Sequence, residues 1–255
     1  MSLVSAAKYH ARRFLGSVER RGLFRTLGAS PGAAKRELDS WLGGRHYCPS
    51  PYYTWLDRRF DRRFSVDTAG IIRLTEFQAD PQFPELSSSG QEVSYGPSPS
   101  VVFASALERI HVDWKKFVFI DFGCGKGKAL LLAAKLPFKR IIGLELVSAL
   151  VQAAESNWQR YTGKKKCTDC LIVCKDAREF VIPNDPAVYY FYNPFNKTVL
   201  RHILEHISRS LAVEFRESYV VFLNPEYDDV LKEYTFLEPI ARTSLYSVHR
   251  AVRAG

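Results

Sequence analysis

Long apolar runs are missing from this 255-residue chain. No stretch approaches the ~18 residues that a membrane-spanning helix needs, and no secretory signal is legible at the start. Cysteine is scarce. Cys48, Cys124, Cys167, Cys170 and Cys174 suit no disulfide framework, so a reducing cytoplasm is the expected setting. The C-x₂-C-x₃-C spacing of the last three lacks a fourth ligand for a structural zinc, two of the three fall in a strand expected to be buried, where Cys acts as a small hydrophobe, and no metal is expected. No repeat of solenoid length is present. With 46% hydrophobic residues, the chain can bury one good core and perhaps a small appendage.

Acids are also scarce near the start. Residues 1–63 hold 13 Lys and Arg against five Asp and Glu, leaving 23 against 22 for the rest of a chain whose net charge is +9. Ser30-Pro31 opens a helix whose stripe of Leu38, Trp41 and Leu42 stops at Gly43-Gly44. Leu56, Phe60 and Phe64 make a second stripe, with Arg58, Arg59, Arg62 and Arg63 between them. Two readings stay open: a basic collar for an acidic partner, or a solvated helix face packed on the domain behind it. A transit peptide is a third reading, because Glu19 is the one acid among the first 25 residues. Residues 1–64 are therefore set apart as a basic helical extension. Residues 65–94, rich in Pro, Ser and Gly, form a connection.

What the chain does possess is a glycine loop in a telling place. Phe117 to Ile120 is a short apolar run with the composition of a buried strand, and Asp121 follows at its carboxyl end. Gly123, Gly125 and Gly127 then alternate with Cys124 and Lys126, and a helix rich in Ala and Leu begins at Lys128. Glycines allow tight turning and close ligand approach, and the helix start behind them offers free amides. A P-loop is excluded, since Phe122 stands at its first glycine and Ala129 at its Ser/Thr. A dinucleotide loop is excluded because Lys128 or Leu130 stands at its third glycine.

The remaining pattern, D-x-G-x-G-x-G, resembles the first motif of class I S-adenosylmethionine-dependent methyltransferases. The resemblance covers about residues 95–255. More loosely, from Phe64 onward, the chain is similar to bacterial members without an assigned substrate and, more distantly, to the non-SET histone-lysine methyltransferases. It implies S-adenosyl-L-methionine as cofactor. Tyr95 and Ser98, upstream of the first strand, resemble a segment that folds over the methionine end of that cofactor; an ordinary Ser/Pro helix cap is the other reading. Glu145 ends a second strand at Arg140 to Leu146, about 20 residues past the glycines, where Rossmann-like folds grip a ribose diol. Asp176-Ala177, at the end of a third strand that begins at Cys170, resembles the family's adenine contact.

A fourth strand, Ala187 to Tyr192, runs into Asn193-Pro194-Phe195. This resembles the motif by which nitrogen methyltransferases accept hydrogen bonds from an amino group, although one proline stands where the family has two. A turn that merely stops the strand is the other reading. Helices and strands alternate to the C-terminus, with a closing hairpin near 236–252. The expected fold is α/β: a Rossmann-like, doubly wound, mostly parallel seven-stranded sheet with an antiparallel C-terminal strand, plus the helical N-terminal extension. The expected function is methyl transfer to nitrogen, on a protein lysine or a small amine. The competing class is a non-catalytic methyltransferase-like module that docks nucleic acid or another acidic partner through its basic arm.

Overall fold

The computed structural model describes residues 51–73, 94–192, 196–225 and 227–253. Residues 1–56 and 57–255 form two separate units, and of the first only the start of one helix is described. Most of the predicted basic extension and most of the connecting segment lie outside the described residues.

That helix, α1 (Pro51–Phe64), crosses into the second unit. A two-residue ribbon follows, β1 (Ile72–Arg73) against β2 (Ser94–Tyr95). Helix α2 (Ser100–Leu107) then leads to a seven-stranded sheet. Its elements in chain order are β3 (Val118–Phe122), α3 (Lys128–Ala133), β4 (Arg140–Glu145), α4 (Ser148–Arg160), β5 (Cys170–Cys174), β6 (Ala187–Tyr192), α5 (Lys197–Val213), β7 (Ser218–Leu223), α6 (Asp228–Leu231), β8 (Leu237–Arg242) and β9 (Tyr246–Ala251).

The strand order is β5-β4-β3-β6-β7-β9-β8. All neighbours are parallel except those of β9, which runs against both β7 and β8. This is the expected Rossmann-like, doubly wound sheet with its closing hairpin. Strands β3, β6 and β7 read as near-continuous apolar runs because both faces of the sheet are covered. Phe119, Tyr190 and Val221 face one layer with α2 and α3, whereas Ile120, Tyr189, Phe191 and Val220 face the other with α5 and α6.

One expectation is corrected. The third strand was expected to be buried, but β5 stands at the sheet edge. Cys170 is therefore half-buried and Cys174 exposed, since an edge strand has a neighbour on one side only. The strand also stops at Cys174, two residues before Asp176.

The order also decides where a ligand fits. Strand β3 has β4 on one side and β6 on the other, so the chain connections diverge there. In open α/β sheets the crevice beyond the carboxyl ends of the strands, at that divergence, is the binding place. The glycine loop leaves β3 at this point.

Candidate functional site

After Phe122 the backbone turns through Gly123, Gly125 and Gly127, with φ of 83°, 52° and 81°. The amides of Gly123 and Cys124 both donate to the Leu144 carbonyl at 2.8 Å, which pins the loop to the end of β4. The Gly125 amide donates to Glu145 Oε2 at 2.9 Å. Glu145 Oε1 accepts from the amides of Leu146 and Val147 at 2.8 and 3.0 Å. The carboxylate is thus held rigid from three sides, and its oxygens retain capacity for further donors. Burial raises the Glu145 carboxyl, against the opposing pull of those amides.

Asp121 lies beside it, 3% exposed. Burial, and then the neighbouring Glu145, push its carboxyl well above the usual carboxylate range. Among the described residues no cation offsets either acid. A buried and a half-buried acid at adjacent strand ends, with no described cation between them, favour a ligand that brings positive charge or hydroxyl donors.

Tyr95 closes the loop from outside. A Cβ on Gly125 would lie 2.3 Å from Tyr95 Cδ2, so only glycine fits there. The Tyr95 hydroxyl donates to the Thr68 carbonyl at 2.7 Å. Thr68, fully buried, is clamped in turn by Asp61. Its hydroxyl donates to Asp61 Oδ1 at 2.6 Å, while the amides of Thr68 and Ala69 donate to Oδ2 at 2.8 and 2.6 Å. Ser98 Oγ accepts from the Tyr190 hydroxyl at 2.8 Å, and Tyr190 is the register partner of Asp121.

A second tie holds the same strap. Asn157, on α4 and 1% exposed, donates to the carbonyls of Asp67 and Lys126 at 2.9 and 3.0 Å and accepts from the Asp67 amide at 2.7 Å. Beneath it, Lys128 is buried, with Nζ 3.4 Å from Asp57 Oδ1 and 3.5 Å from the centre of the Phe60 ring. Burial lowers Lys128, against the pull of Asp57, and it raises Asp57 to about 6 despite the lysine.

The third strand end is occupied differently. The Lys175 amide donates to the Glu145 carbonyl at 2.9 Å, which brings the next residue, Asp176, alongside. Asp176 Oδ1 caps a short 3₁₀ turn by accepting from the Arg178 amide at 2.8 Å. Burial would raise this carboxyl, but the Arg178 guanidinium holds it below its ordinary value. Ala177 is buried behind it.

Tyr95, Ser98, Asp121, the three glycines and Glu145 thus gather around one strand end, and Asp176-Ala177 lie at the next. Asn193, Pro194 and Phe195 lie outside the described residues. Sequence reasoning passed over Asp61, Thr68, Asn157 and Lys128, and also Gly143 of β4, where a Cβ would meet Cys124 Sγ at 2.9 Å. The one usable hint was Asn157, a polar residue beside the apolar stripe of Leu150, Ala154 and Trp158.

No family model matches the chain. No curated protein matches it. Among solved structures it is similar to an RNA methyltransferase from Salinibacter ruber in complex with S-adenosyl-L-homocysteine, at 19% identity over 61% of this chain and 92% of that one, with a TM-score of 0.42. It is also similar to a ribosomal protein L11 methylase from Lactobacillus delbrueckii subsp. bulgaricus, at 17% identity over 61% and 78%, with a TM-score of 0.45. A precorrin-6y C5,15-methyltransferase from Geobacter metallireducens matches at 15% identity over 61% and 90%, with a TM-score of 0.46. These values are too low to carry a function from any of them to this chain.

Proposed function

We propose that this chain is an S-adenosylmethionine-dependent methyltransferase and that its acceptor is a nitrogen atom, on a protein lysine or another amine. The observation that carries the reading is the pair of buried Asp121 and half-buried Glu145, with no offsetting cation among the described residues, around a glycine loop at the divergence of the sheet. The cofactor fits this donor set: it carries an ammonium and a sulfonium, which are cationic, and a ribose diol, which donates. Glu145 would hold the diol, Asp121 would answer the positive charge, and Tyr95 and Ser98 would line the methionine end. Asp176 and Ala177 would border the adenine.

When bound, the cofactor supplies an already activated methyl group. The chain's own task is then to orient the acceptor and keep water out. An amine acceptor with an ordinary pKa near ~10.4 must lose a proton before it attacks. Desolvation next to a cation favours that loss. Asn193, next in the sequence after β6, would supply an acceptor for the remaining N–H, and Phe195 a wall. Neither His nor Glu occurs in the Asn-Pro-Phe segment, which favours orientation by Asn193 over proton abstraction by a named side chain.

Calorimetry with S-adenosylhomocysteine tests the cofactor reading, with the reduced nicotinamide dinucleotide as competitor. Binding of the first and not the second is expected; the reverse would overturn it. Labelled methyl donor, incubated with the protein and a fractionated lysate, then tests turnover. Cofactor binding without label transfer to any fraction would favour the non-catalytic module instead.

A further inference from the structure

Several cations at the surface of the described residues stand next to an acid. Lys139 pairs with Asp185, Arg140 with Asp169, Lys197 with Asp229, Arg201 with Glu233, Arg209 with Glu205 and Arg250 with Glu238. One face gathers cations that have no such partner. The end of α1 brings Arg62 and Arg63, the turn after α3 brings Lys135, the end of α4 brings Arg160, and the loop beyond it brings Lys164, Lys165 and Lys166. The tertiary fold makes these one surface. The Thr162 amide donates to the Phe64 carbonyl at 3.1 Å, and the Lys166 amide to the Ala134 carbonyl at 2.7 Å. Phe64 lies 5.0 Å from Tyr161, centroid to centroid, with Lys135 Nζ 4.8 Å and the Arg63 guanidinium 5.3 Å from the Phe64 ring. Lys165 Nζ lies 4.4 Å from the Trp158 ring centre.

None of these seven cations has an ion-pair partner among the described residues. Their crowding is felt locally: burial first, then Lys128 and Arg63, bring Lys135 down to about 8. Like charges gathered without acids raise the energy of the free protein, and a polyanion relieves it.

We infer that this face, from Arg62 and Arg63 across Lys135 and Arg160 to Lys164–Lys166, docks the phosphate backbone of a nucleic acid. A membrane partner would call for apolar anchors. A protein partner would call for an apolar interface centre. This face supplies neither, because Tyr161 is buried and Phe64 and Trp158 lie half-buried beneath its cations. Binding to phosphates needs only positive charge and carries no base information. The inference goes beyond the methyltransferase reading and stands whether or not the cofactor binds.

The test uses the full chain without cofactor and a short fluorescent single-stranded RNA, with DNA of the same sequence alongside, read by anisotropy across a salt series. Both should bind, because phosphates alone are read. Replacing Lys164, Lys165 and Lys166 together by Gln should weaken binding ~10-fold or more and flatten the salt slope by ~2, at about 0.7 for each phosphate no longer neutralised. R62Q/R63Q is the independent second variant and should weaken binding in the same direction. The control neutralises Lys139, Arg140 and Arg250, removing the same charge from paired positions, and should change binding little. An equal loss in the control would mean that net charge alone drives binding and would overturn the inference. So would binding that neither face variant weakens, or binding to anionic phospholipid vesicles when neither oligonucleotide binds.

Discussion

The Gly125 amide donates to Glu145 Oε2 across 2.9 Å, so the glycine loop and the acid at the end of the next strand are one mechanical piece. A ligand that recruits Glu145 therefore also senses the loop. Glu145→Ala should weaken S-adenosylhomocysteine by ~1.5–3 kcal/mol, the range for losing charged hydrogen bonds. It should also lower the melting temperature, because three backbone amides lose their acceptor. Calorimetry on the folded variant separates the two effects. Unchanged affinity would sink the ribose assignment.

Gly125 and Tyr95 should be energetically coupled. Gly125→Ala adds a Cβ 2.3 Å from the Tyr95 ring at a φ of +52°. The left-handed backbone costs ~1–2 kcal/mol for a residue with a Cβ, and overpacking adds ~1–3 kcal/mol. Combining it with Tyr95→Ala relieves the second cost but not the first. In urea unfolding the double variant should be ~1–3 kcal/mol more stable than the sum of the singles. Simple additivity would show that the ring does not rest on the loop.

Asp57 should leave a mark on the pH dependence of stability. Its carboxyl is raised from 3.8 to about 6, mainly by burial. Between those values the folded chain holds a proton that the unfolded chain has released. Stability from this group therefore falls as pH rises from ~4 to ~6 and is level above that. The displacement corresponds to ~3 kcal/mol at most. Asp57→Asn should abolish that fall, so unfolding at pH ~4.5 and ~7 should differ more in the parent than in the variant. Parallel profiles would contradict it.

Asn193→Ala probes catalysis apart from binding. The variant retains Pro194, and S-adenosylhomocysteine should bind as before. Methyl transfer to whichever acceptor the lysate screen yields should drop ~10²-fold or more, the scale for removing a hydrogen bond to a reacting group. A variant that transfers methyl at the parental rate would leave Asn-Pro-Phe as a strand stop and nothing more.

Element order, the doubly wound sheet and the cluster around Asp121, Gly125 and Glu145 were legible because each rests on local pattern. Strands covered on both faces read as apolar runs, as Val188 to Phe191 does, and loops that turn sharply need glycine wherever they occur. The position of β5 was less legible, since the same five residues suit a central or an edge strand until the strand order is known. What only the tertiary structure decided is the support of the loop. Asn157 meets Asp67 across 90 positions in the chain, and Tyr95 reaches Thr68 across 27, pairings that leave no periodic trace. Lys128 looks from the sequence like an ordinary charged residue at a helix start; it is buried because Asp57 and Phe60, far back in the chain, cover it. The basic face follows the same logic. Arg62, Lys135 and Lys164 belong to three separate segments, and only the docking of Phe64 against Tyr161 gathers their charge on one surface. Short-range sterics and hydrophobic patterning are written in the order of residues. Polar pairing and charge density in space depend on which segments the sheet brings together.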